Sequence, residues 1–562
     1  MERLLMSSKW IATVASIWIQ CSVGGYTFSI YSSVLKSSQG YDQSTLDIVS
    51  VFKDIGGNAG VLSGVLFSAV AVGNSNRSGT VRSRSFAGPW VVHLAGAIQN
   101  FLGYLLIWAS VVGVIHRPPV PLMCFFVFLS AHAQTFFSTT NMVCGVQNFA
   151  ECGGTIVGIM KGFLGISGAI VIQGYETFSK NEPSTFLLML ALLPTFVSLA
   201  LMFLVRIYED ADTTDDRKHL NGFSAVALIV AGYLMIIISL ENIFTLPSWA
   251  RIFTFILLLL LLASPLGIAI KAQREEDYYK IRSLKKVSVE SNPLMKSSKS
   301  SAGKDPLAYQ ELPGGEGDQV NHATLDDIIN LPEEEGMNLL QAMSTLNFWL
   351  LFVAMVCGMG TAQAVVNNLS QIGESFNYTR VQISNLVSLW GIWNFVGRIG
   401  AGNLSDYLLH TRGCGRPFLM GITLASMAAG HAVIASGFPG ILYVGSILVG
   451  FCYGSQWALM PTIASEMFGV RHVGTIFNAI GIANPVGSYI FSVRIIGYIY
   501  DMEAGGEDNF CFGTHCFMLS FLIMSSVAFL GFLVAIALFF RTKQIYQLLV
   551  LRRLNHSLRS SR

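Results

Sequence analysis

Several ionisable side chains lie within long apolar stretches of this sequence. The clearest are Lys53, Asp54, Lys161, Arg398 and Arg494, whose neighbours along the chain are mainly apolar. A charge inside a bilayer costs free energy, so such a residue usually binds a substrate or ion or pairs with another charge. These five residues are therefore the first candidates for function.

Neutral polar side chains form a second group of candidates. Gln363 and Asn367 are one helical turn apart, and Gln456 and Trp457 precede Pro461, where a broken helix could expose backbone groups. Such side chains either bind a ligand or hydrogen-bond neighbouring helices, which stabilises membrane helix pairs by about 0.6 kcal/mol each. We expect both roles among these residues.

The short segment that contains Cys511 and Cys516 offers a different chemistry. We expect a disulfide between the two cysteines if the segment faces an oxidising compartment. With His515 they supply only three ligands, too few for a closed zinc site, so no metal is expected. Asn377 begins an Asn-Tyr-Thr sequon and is a candidate for glycosylation.

Common catalytic motifs do not occur in the sequence. It contains no phosphate-binding Gly-x-x-x-x-Gly-Lys-Ser/Thr pattern, no His-Glu-x-x-His and no nucleophile elbow. We therefore predict a protein that is not an enzyme and needs no cofactor. Any transport would be driven by a solute or proton gradient rather than by ATP.

The composition shows which elements must position these side chains. Of the 562 residues, 52% are hydrophobic and only 12% are charged, about half the charge of typical soluble proteins. This balance excludes a string of soluble domains and predicts an all-α polytopic membrane protein. The net charge of +2 gives no reason to expect nucleic-acid binding.

Fourteen apolar stretches are long enough to cross a bilayer, which takes about 20 residues. They lie at 10–35, 46–72, 88–114, 120–144, 153–179, 184–206, 222–240, 250–271, 347–370, 382–403, 416–436, 439–463, 473–500 and 516–541. The count falls to twelve if the pair at 222–240 and 250–271 does not span.

An even number of spans places both chain ends on one side, and Lys and Arg are concentrated there, which predicts cytosolic termini. The polar stretch 272–345 has few large apolar residues and is predicted to be a disordered linker that could bind cytosolic partners. The predicted division is a six-helix half at 1–210, an extra helix pair at 211–271, the linker at 272–345, a second six-helix half at 346–545 and a basic tail at 546–562.

The two halves show traces of an internal repeat. Residues 154–170 and 474–490 share Gly-Thr-Ile and a spaced glycine pattern at the start of the fifth span of each half. Two related halves joined by a long loop are typical of secondary transporters. The segment GRIGAGNLSD at 397–406 resembles a loop signature of the major facilitator superfamily, whose conformational residues here are Gly402, Asp406, Arg412 and Arg416. The first half carries a Ser/Arg/Gly-rich insert at 71–88 instead of this signature.

A closer resemblance covers nearly the whole chain. Residues 28–41, Lys53-Asp54, 96–100 and 145–149 resemble plant nodulin-like proteins, and residues 368–373, 465–469 and 487–501 resemble their Nuclear Fusion Defective branch. The resemblance implies a plant membrane protein with the major facilitator fold. It does not identify a substrate, and one branch is tied to fusion of polar nuclei.

In the facilitator fold, the helices that carry Asp54 and Arg494 are neighbours from opposite halves. Both residues lie about 10–14 Å below the outer surface by the helical rise. The resemblance therefore predicts a salt bridge that forms when the outer side closes. A permanent structural pair, or mutual neutralisation of Lys53 and Asp54, are the alternatives.

The same fold brings Lys161 and Arg398 together near the inner side. Two converging cations predict an anionic substrate or a shared carboxylate partner. Alternatively, Arg398 braces the loop of Asp406, and Lys161 extends to the membrane surface.

Together these features predict a secondary active transporter of a small organic solute, weakly biased towards anions. The alternative is a non-transporting membrane protein of the same fold that acts in a process such as nuclear fusion or as a regulatory scaffold. We expect it in the plasma membrane or in a vacuolar or other internal membrane.

Overall fold

The computed structural model describes residues 8–25, 27–41, 43–75, 88–178, 183–208, 216–244, 246–290, 336–438, 440–503 and 511–560. Within these residues the chain forms α-helices with short 3-10 and π segments, and it contains no strand. The arginines of the insert at 71–88, which belong to the predicted cytosolic Lys and Arg excess, and most of the predicted linker lie outside the described residues.

Eight helices form the first half. They are α1 (Lys9–Ser22), α2 (Phe28–Gln39), α3 (Gln43–Asn58), α4 (Val61–Ser75), α5 (Trp90–Val112), α6 (Val120–Asn148), α7 (Gly153–Phe178) and α8 (Pro183–Leu201). The predicted span 10–35 is broken between α1 and α2, where Gly24 has a φ of +68°. Glycine adopts this left-handed conformation at no steric cost, and a regular helix cannot continue through it.

Two long helices follow the first half, α9 (Asp216–Ile243) and α10 (Ser248–Glu290). The prediction that a linker begins at residue 272 is wrong, because α10 continues without a break through Glu290. This polar part of the helix has a packing partner: the carboxylate of Glu276 accepts a hydrogen bond from the indole Nε1 of Trp10 at 3.1 Å. The far end of the predicted linker is also helical, in α11 (Leu339–Ser344).

The second half contains the remaining helices. They are α12 (Leu346–Met355), α13 (Thr361–Asn367), α14 (Leu369–Ser375), α15 (Arg380–Arg412), α16 (Arg416–Ala435), α17 (Ile441–Phe468), α18 (Val473–Gly481), α19 (Ala483–Ser488), α20 (Tyr498–Glu503) and α21 (His515–Ser560). A π segment at Val356–Gly360 joins α12 to α13, and another at Tyr489–Gly497 joins α19 to α20. Such π segments within helices occur frequently at functional sites.

Local sequence explains the bounds of the central helix α15. Thr379 and Gln382 form a reciprocal capping box at its start. Gly413 ends it in a left-handed conformation with φ of +61°. The helix therefore runs unbroken for 33 residues and carries both Arg398 and Asp406.

Glycines allow the two halves to approach closely at one end of the molecule. A Cβ atom at Gly158 of α7 would lie 2.7 Å from the carbonyl oxygen of Arg398 on α15, and Gly64 of α4 packs directly against the backbone of Thr475 on α18. We call this the inner end; Lys9 and Tyr546, near the two ends of the described chain, also lie there. The opposite, outer end carries Cys511.

Among the described residues, eleven helical stretches are long and apolar enough to cross a membrane, including α9 and the first part of α10. Three of the fourteen predicted spans are not among the eleven. Those at 10–35 and 46–72 are divided into shorter helices, and the one at 382–403 lies within α15. The number of fourteen spans, and the domain division based on it, stay predictions.

Candidate functional site

An ionic cluster joins the two halves at the inner end. The Asp406 carboxylate accepts hydrogen bonds from the backbone N–H groups of Gly154 at 3.1 Å and Thr155 at 2.6 Å, at the start of α7. Arg416 donates to Asp406 at 2.6 Å through Nη2 and to Glu466 at 2.8 Å through Nε. Because a helix N-terminus favours negative charge, the cluster stabilises the closed inner end.

Asp406 is held in its ionised form. Burial by itself raises the pKa of a carboxyl group, but the Arg416 guanidinium and the hydrogen bonds from Thr155 lower the pKa of Asp406 below its ordinary 3.8. Asp406 lies beyond the predicted span 382–403, at the inner end of α15.

The predicted loop motif is only partly gathered here. Gly402 packs against the backbone of Gly154, and Arg416 is fully buried with Asp406, whereas Arg412 is exposed at the end of α15. Glu466 was not among the predicted site residues. The sequence feature that could have identified Glu466 is the Ser-Glu-Met-Phe-Gly segment at 465–469, which is one of the segments of the family resemblance.

Lys161 lies deep in the seam between the halves. Its side chain is 6% exposed, and Nζ donates a hydrogen bond to the hydroxyl of Ser138 at 3.0 Å. The ring centroids of Trp457 and Phe477 lie 5.2 and 5.4 Å from Nζ, so the ammonium group contacts aromatic faces from the second half. The alternative that Lys161 extends to the membrane surface is therefore wrong.

Arg398 meets Lys161, as predicted, but through the backbone. Its Nη1 donates to the carbonyl oxygen of Lys161 at 2.6 Å, and its Nε donates to Asn394 at 3.0 Å. The side chain is 2% exposed. This hydrogen bond places a buried guanidinium at the backbone of Lys161 and joins α7 to α15.

Aromatic rings continue from Lys161 along one face of α17. Trp457 and Tyr453 are one turn apart with ring centroids 6.3 Å apart, and Tyr453 contacts Trp390 of α15 at 5.3 Å. The indole Nε1 atoms of Trp457 and Trp390 are buried and have no hydrogen-bond partner among the described residues. These rings form an apolar wall with unused donors.

A ladder of neutral polar groups begins at Tyr453. Its hydroxyl donates to Gln363 at 2.7 Å, Gln363 donates to Asn367 at 2.9 Å, and Asn367 donates to Ser488 at 3.1 Å. The ladder crosses from α17 through α13 to the start of the second π segment. Gln456 does not join it: its Nε2 lies 3.9 Å from the sulfur of Met427.

The predicted outer salt bridge is not formed in this structure. Lys53 and Asp54 pair with each other at 3.0 Å. Arg494 donates from Nε to the hydroxyl of Tyr489 at 3.1 Å and stacks on the same ring. The mutual neutralisation of Lys53 and Asp54 is therefore the arrangement present when the inner end is closed.

At the outer end, Cys511 and Cys516 are joined by a disulfide with 5.9 Å between their Cα atoms. His515 Nε2 lies 3.6 Å from the sulfur of Cys511. Asn377 is exposed in the turn before α15, with a φ of +60°. Its side chain is thus accessible, as a glycosylation acceptor must be.

Two family profiles match the chain in tandem. The nodulin-like profile matches residues 9–270, and the profile of the NFD4 C-terminal domain matches residues 329–548. The chain thus carries a nodulin-like domain followed by an NFD4-type C-terminal domain, so the resemblance seen in the sequence is confirmed.

Two curated relatives resemble this chain to different extents. Protein NUCLEAR FUSION DEFECTIVE 4 of Arabidopsis thaliana is 26% identical over 551 residues, which cover 96% of this chain and 89% of the relative. Probable transporter MCH1 of Yarrowia lipolytica is 29% identical over 205 residues, but this alignment covers only 34% of this chain and 42% of the relative.

A solved structure of the proton:xylose symporter XylE, a major facilitator superfamily protein, superposes with a TM-score of 0.51. It is 12% identical to this chain, and the match covers 95% of each chain. At this identity the similarity bears on the fold alone. The chain is thus an all-α polytopic membrane protein with the major facilitator fold.

Proposed function

We propose that this protein is a secondary active transporter that moves a small organic anion across a membrane by alternating access. The proposal rests mainly on Lys161, a basic side chain buried where the two halves meet. Among the described residues it makes no ion pair; its neighbours are a hydroxyl group and two aromatic rings. Buried charges are normally paired, so a missing counter-ion supports an anionic substrate.

The relatives support transport in general terms. The MCH1 proteins are named probable transporters, and the solved relative with the same fold is a proton symporter. In such a protein the two halves rock about a central site, and energy comes from a solute or proton gradient. The closed inner end of this chain would represent one of the two access states.

The polar ladder and the aromatic wall complete the proposed site. Gln363 and Asn367 would hydrogen-bond uncharged parts of the substrate, and Trp457 would pack against its body. We further propose that both termini lie in the cytosol and that the Cys511–Cys516 disulfide faces the oxidising side of a plasma, vacuolar or other internal membrane.

Uptake into proteoliposomes tests the transporter proposal. Vesicles with the full-length protein are offered a defined mixture of organic anions, sugars and amines under a proton or sodium gradient, and their contents are measured by mass spectrometry. We expect at least one anion to accumulate, and Lys161→Ala to reduce its rate at least tenfold. Lys271→Ala, an exposed lysine of α10, is the matched control and should transport normally.

Protein NUCLEAR FUSION DEFECTIVE 4, which aligns with 96% of this chain, supports a second candidate function. A protein of facilitator fold could act in membrane or nuclear fusion without moving a solute. Absence of gradient-dependent flux for every solute offered, from vesicles with correctly folded protein, would favour this function over transport.

A further inference from the structure

Lys161 is the point at which anion and proton binding could depend on one another. This inference rests on the proposed function and concerns the ion that drives it. The ammonium group is buried, donates one hydrogen bond to Ser138 and has Trp457 and Phe477 beside it. Two of its three N–H groups therefore have no acceptor among the described residues.

Within the part of the chain that the structure describes, no carboxylate pairs with Lys161; Asp406 of α15 and Glu466 of α17 both bind Arg416 instead. α15 brings the cationic Arg398 to the backbone carbonyl of Lys161, while α6 presents Ser138, α17 presents Trp457 and α18 presents Phe477 to the ammonium group.

Several charged groups of α1, α9 and α10 have partners of their own. Lys9 pairs with Asp216, and Lys218 and His219 pair with Glu275. Arg251 donates to the backbone of Glu176, and Glu276 accepts from Trp10.

An unpaired buried ammonium is costly, and the adjacent guanidinium of Arg398 adds to the cost. A substrate anion placed beside Nζ would remove both penalties by supplying the missing countercharge. By linkage, if the bound anion increases the affinity of Lys161 for a proton by some factor, the bound proton increases the affinity for the anion by the same factor.

We propose that Lys161 is the coupling residue, where one proton and one monoanion bind together and cross the membrane as an electroneutral pair. On the outer side, neutral Lys161 takes a proton from water as the anion binds. On the inner side the anion leaves, Lys161 returns that proton to water, and the neutral amine resets. Only the N–H bond forms and breaks, and charge balances in each half-cycle.

Other groups are less suited to this role. Arg398 cannot release a proton in a protein, so it can attract an anion but cannot couple it to a proton gradient. Asp54, a carboxylate within an apolar stretch and so another candidate, is about one third exposed and paired with Lys53. It lies among groups of the outer end rather than beside the central aromatic residues.

The test uses proteoliposomes and a mixture of lactate, glycerate, gluconate, succinate and glucose. For the wild type, acidifying the outside should raise the initial uptake of a transported monoanion by up to about tenfold per pH unit. A membrane potential set with potassium and valinomycin should have no effect. Lys161→Arg, which keeps its charge, should move anions downhill but lose the pH response and become potential-driven. Lys271→Arg should behave as the wild type.

The outcomes separate this inference from the proposed function. Anion uptake that ignores the pH gradient, or a pH response that persists in Lys161→Arg, would overturn the coupling role and leave anion transport standing. Uptake of glucose alone, or no uptake, would overturn both. Because Lys161→Arg could misfold, size-exclusion profiles are compared first, and the wild-type response to pH and potential decides the question without the variant.

Discussion

Asp406 illustrates how one side chain can depend on both halves of a protein. Its covalent neighbours belong to the second half, yet two of its hydrogen bonds come from backbone N–H groups of Gly154 and Thr155 in the first. Arg416 neutralises it at 2.6 Å. Any motion that opens the inner end must separate this carboxylate from the start of α7, so its interactions set part of the barrier.

Replacing Asp406 with Asn should destabilise the closed inner end. Breaking a buried ion pair by removing one partner typically costs about 3–5 kcal/mol, and Asp406 is only 1% exposed. We expect a clearly lower thermal unfolding midpoint in detergent. Asp501→Asn, at an exposed carboxylate of the outer end, is the control. An unchanged midpoint for Asp406→Asn would show that the cluster does not contribute to stability.

The stabilising effect of Asp406 should not depend on pH in the physiological range. Since its pKa in the folded protein is lowered, its contribution is complete above the ordinary value of 3.8 and is lost only as the pH falls through the still lower folded value. The difference in unfolding midpoint between wild type and Asp406→Asn should therefore stay constant from about pH 5 to 8. A difference that shrinks towards pH 5 would contradict this assignment.

At this scale the sequence predicted which side chains would meet, but not the groups that they would use. The convergence of Lys161 and Arg398 followed from fold resemblance and helical depth. Their actual contact is a guanidinium hydrogen bond to a backbone carbonyl, and every residue has such a carbonyl. From the residue types alone we expected a carboxylate shared by Lys161 and Arg398. The hydrogen bonds described above for the two side chains go instead to Ser138, Asn394 and a backbone carbonyl.

The helix pair α9–α10 connects elements of both halves. α10 contacts the first half through Trp10 and Trp18, whose indole groups donate to Glu276 and to the carbonyl oxygen of Leu262. α9 contacts the second half, where Ser224 accepts a hydrogen bond from Asn403 of α15 at 3.1 Å. The pair thus spans the inner seam between α7 and α15.

Weakening this connection should loosen α15 relative to α9. Ser224→Val removes the bond from Asn403, and Arg217→Leu removes a guanidinium that lies 5.5 Å from the Tyr407 ring. Together they should cost about 1–2 kcal/mol. Electron paramagnetic resonance distances between labels at exposed sites of α9 and α15 should broaden. Ile229→Ala, at an exposed position on α9, should leave the distances unchanged.

Helix existence followed from hydrophobicity, whereas helix interruptions did not. Residues 347–370 and 473–500 were each predicted as one span, but each contains a π segment. The two predicted spans meet beside these segments, where Gly360 and Gly487 approach each other closely. A Cβ at Gly360 would lie 2.5 Å from the Gly487 Cα. This contact is between distant parts of the chain, so a hydropathy pattern along one helix cannot reveal it.

At the scale of the whole molecule, the closest approach of the two halves is at the inner end. Glycines on α7 and α4 bring backbone against backbone there, and the Asp406 cluster seals the seam. Alternating access requires that this seam open while the outer ends of the halves come together. The inner contacts between the halves must therefore be exchanged for outer contacts when the protein changes access state. We expect the outer contacts to form between residues that, with the inner end closed, touch only neighbours in their own half.

Asp54 and Arg494 meet that description, which gives a test of the whole cycle. Each now contacts its own half, through Lys53 and Tyr489, and the helical rise predicts similar depths for the two residues on opposite halves. Asp54→Arg and Arg494→Asp alone should each reduce uptake by proteoliposomes strongly, because like charges would meet when the outer side closes. The double reversal should restore most of it, whereas Arg494→Lys should be nearly neutral. If the double variant transports no better than the single ones, the outer salt bridge does not form, and Lys53–Asp54 is a permanent pair.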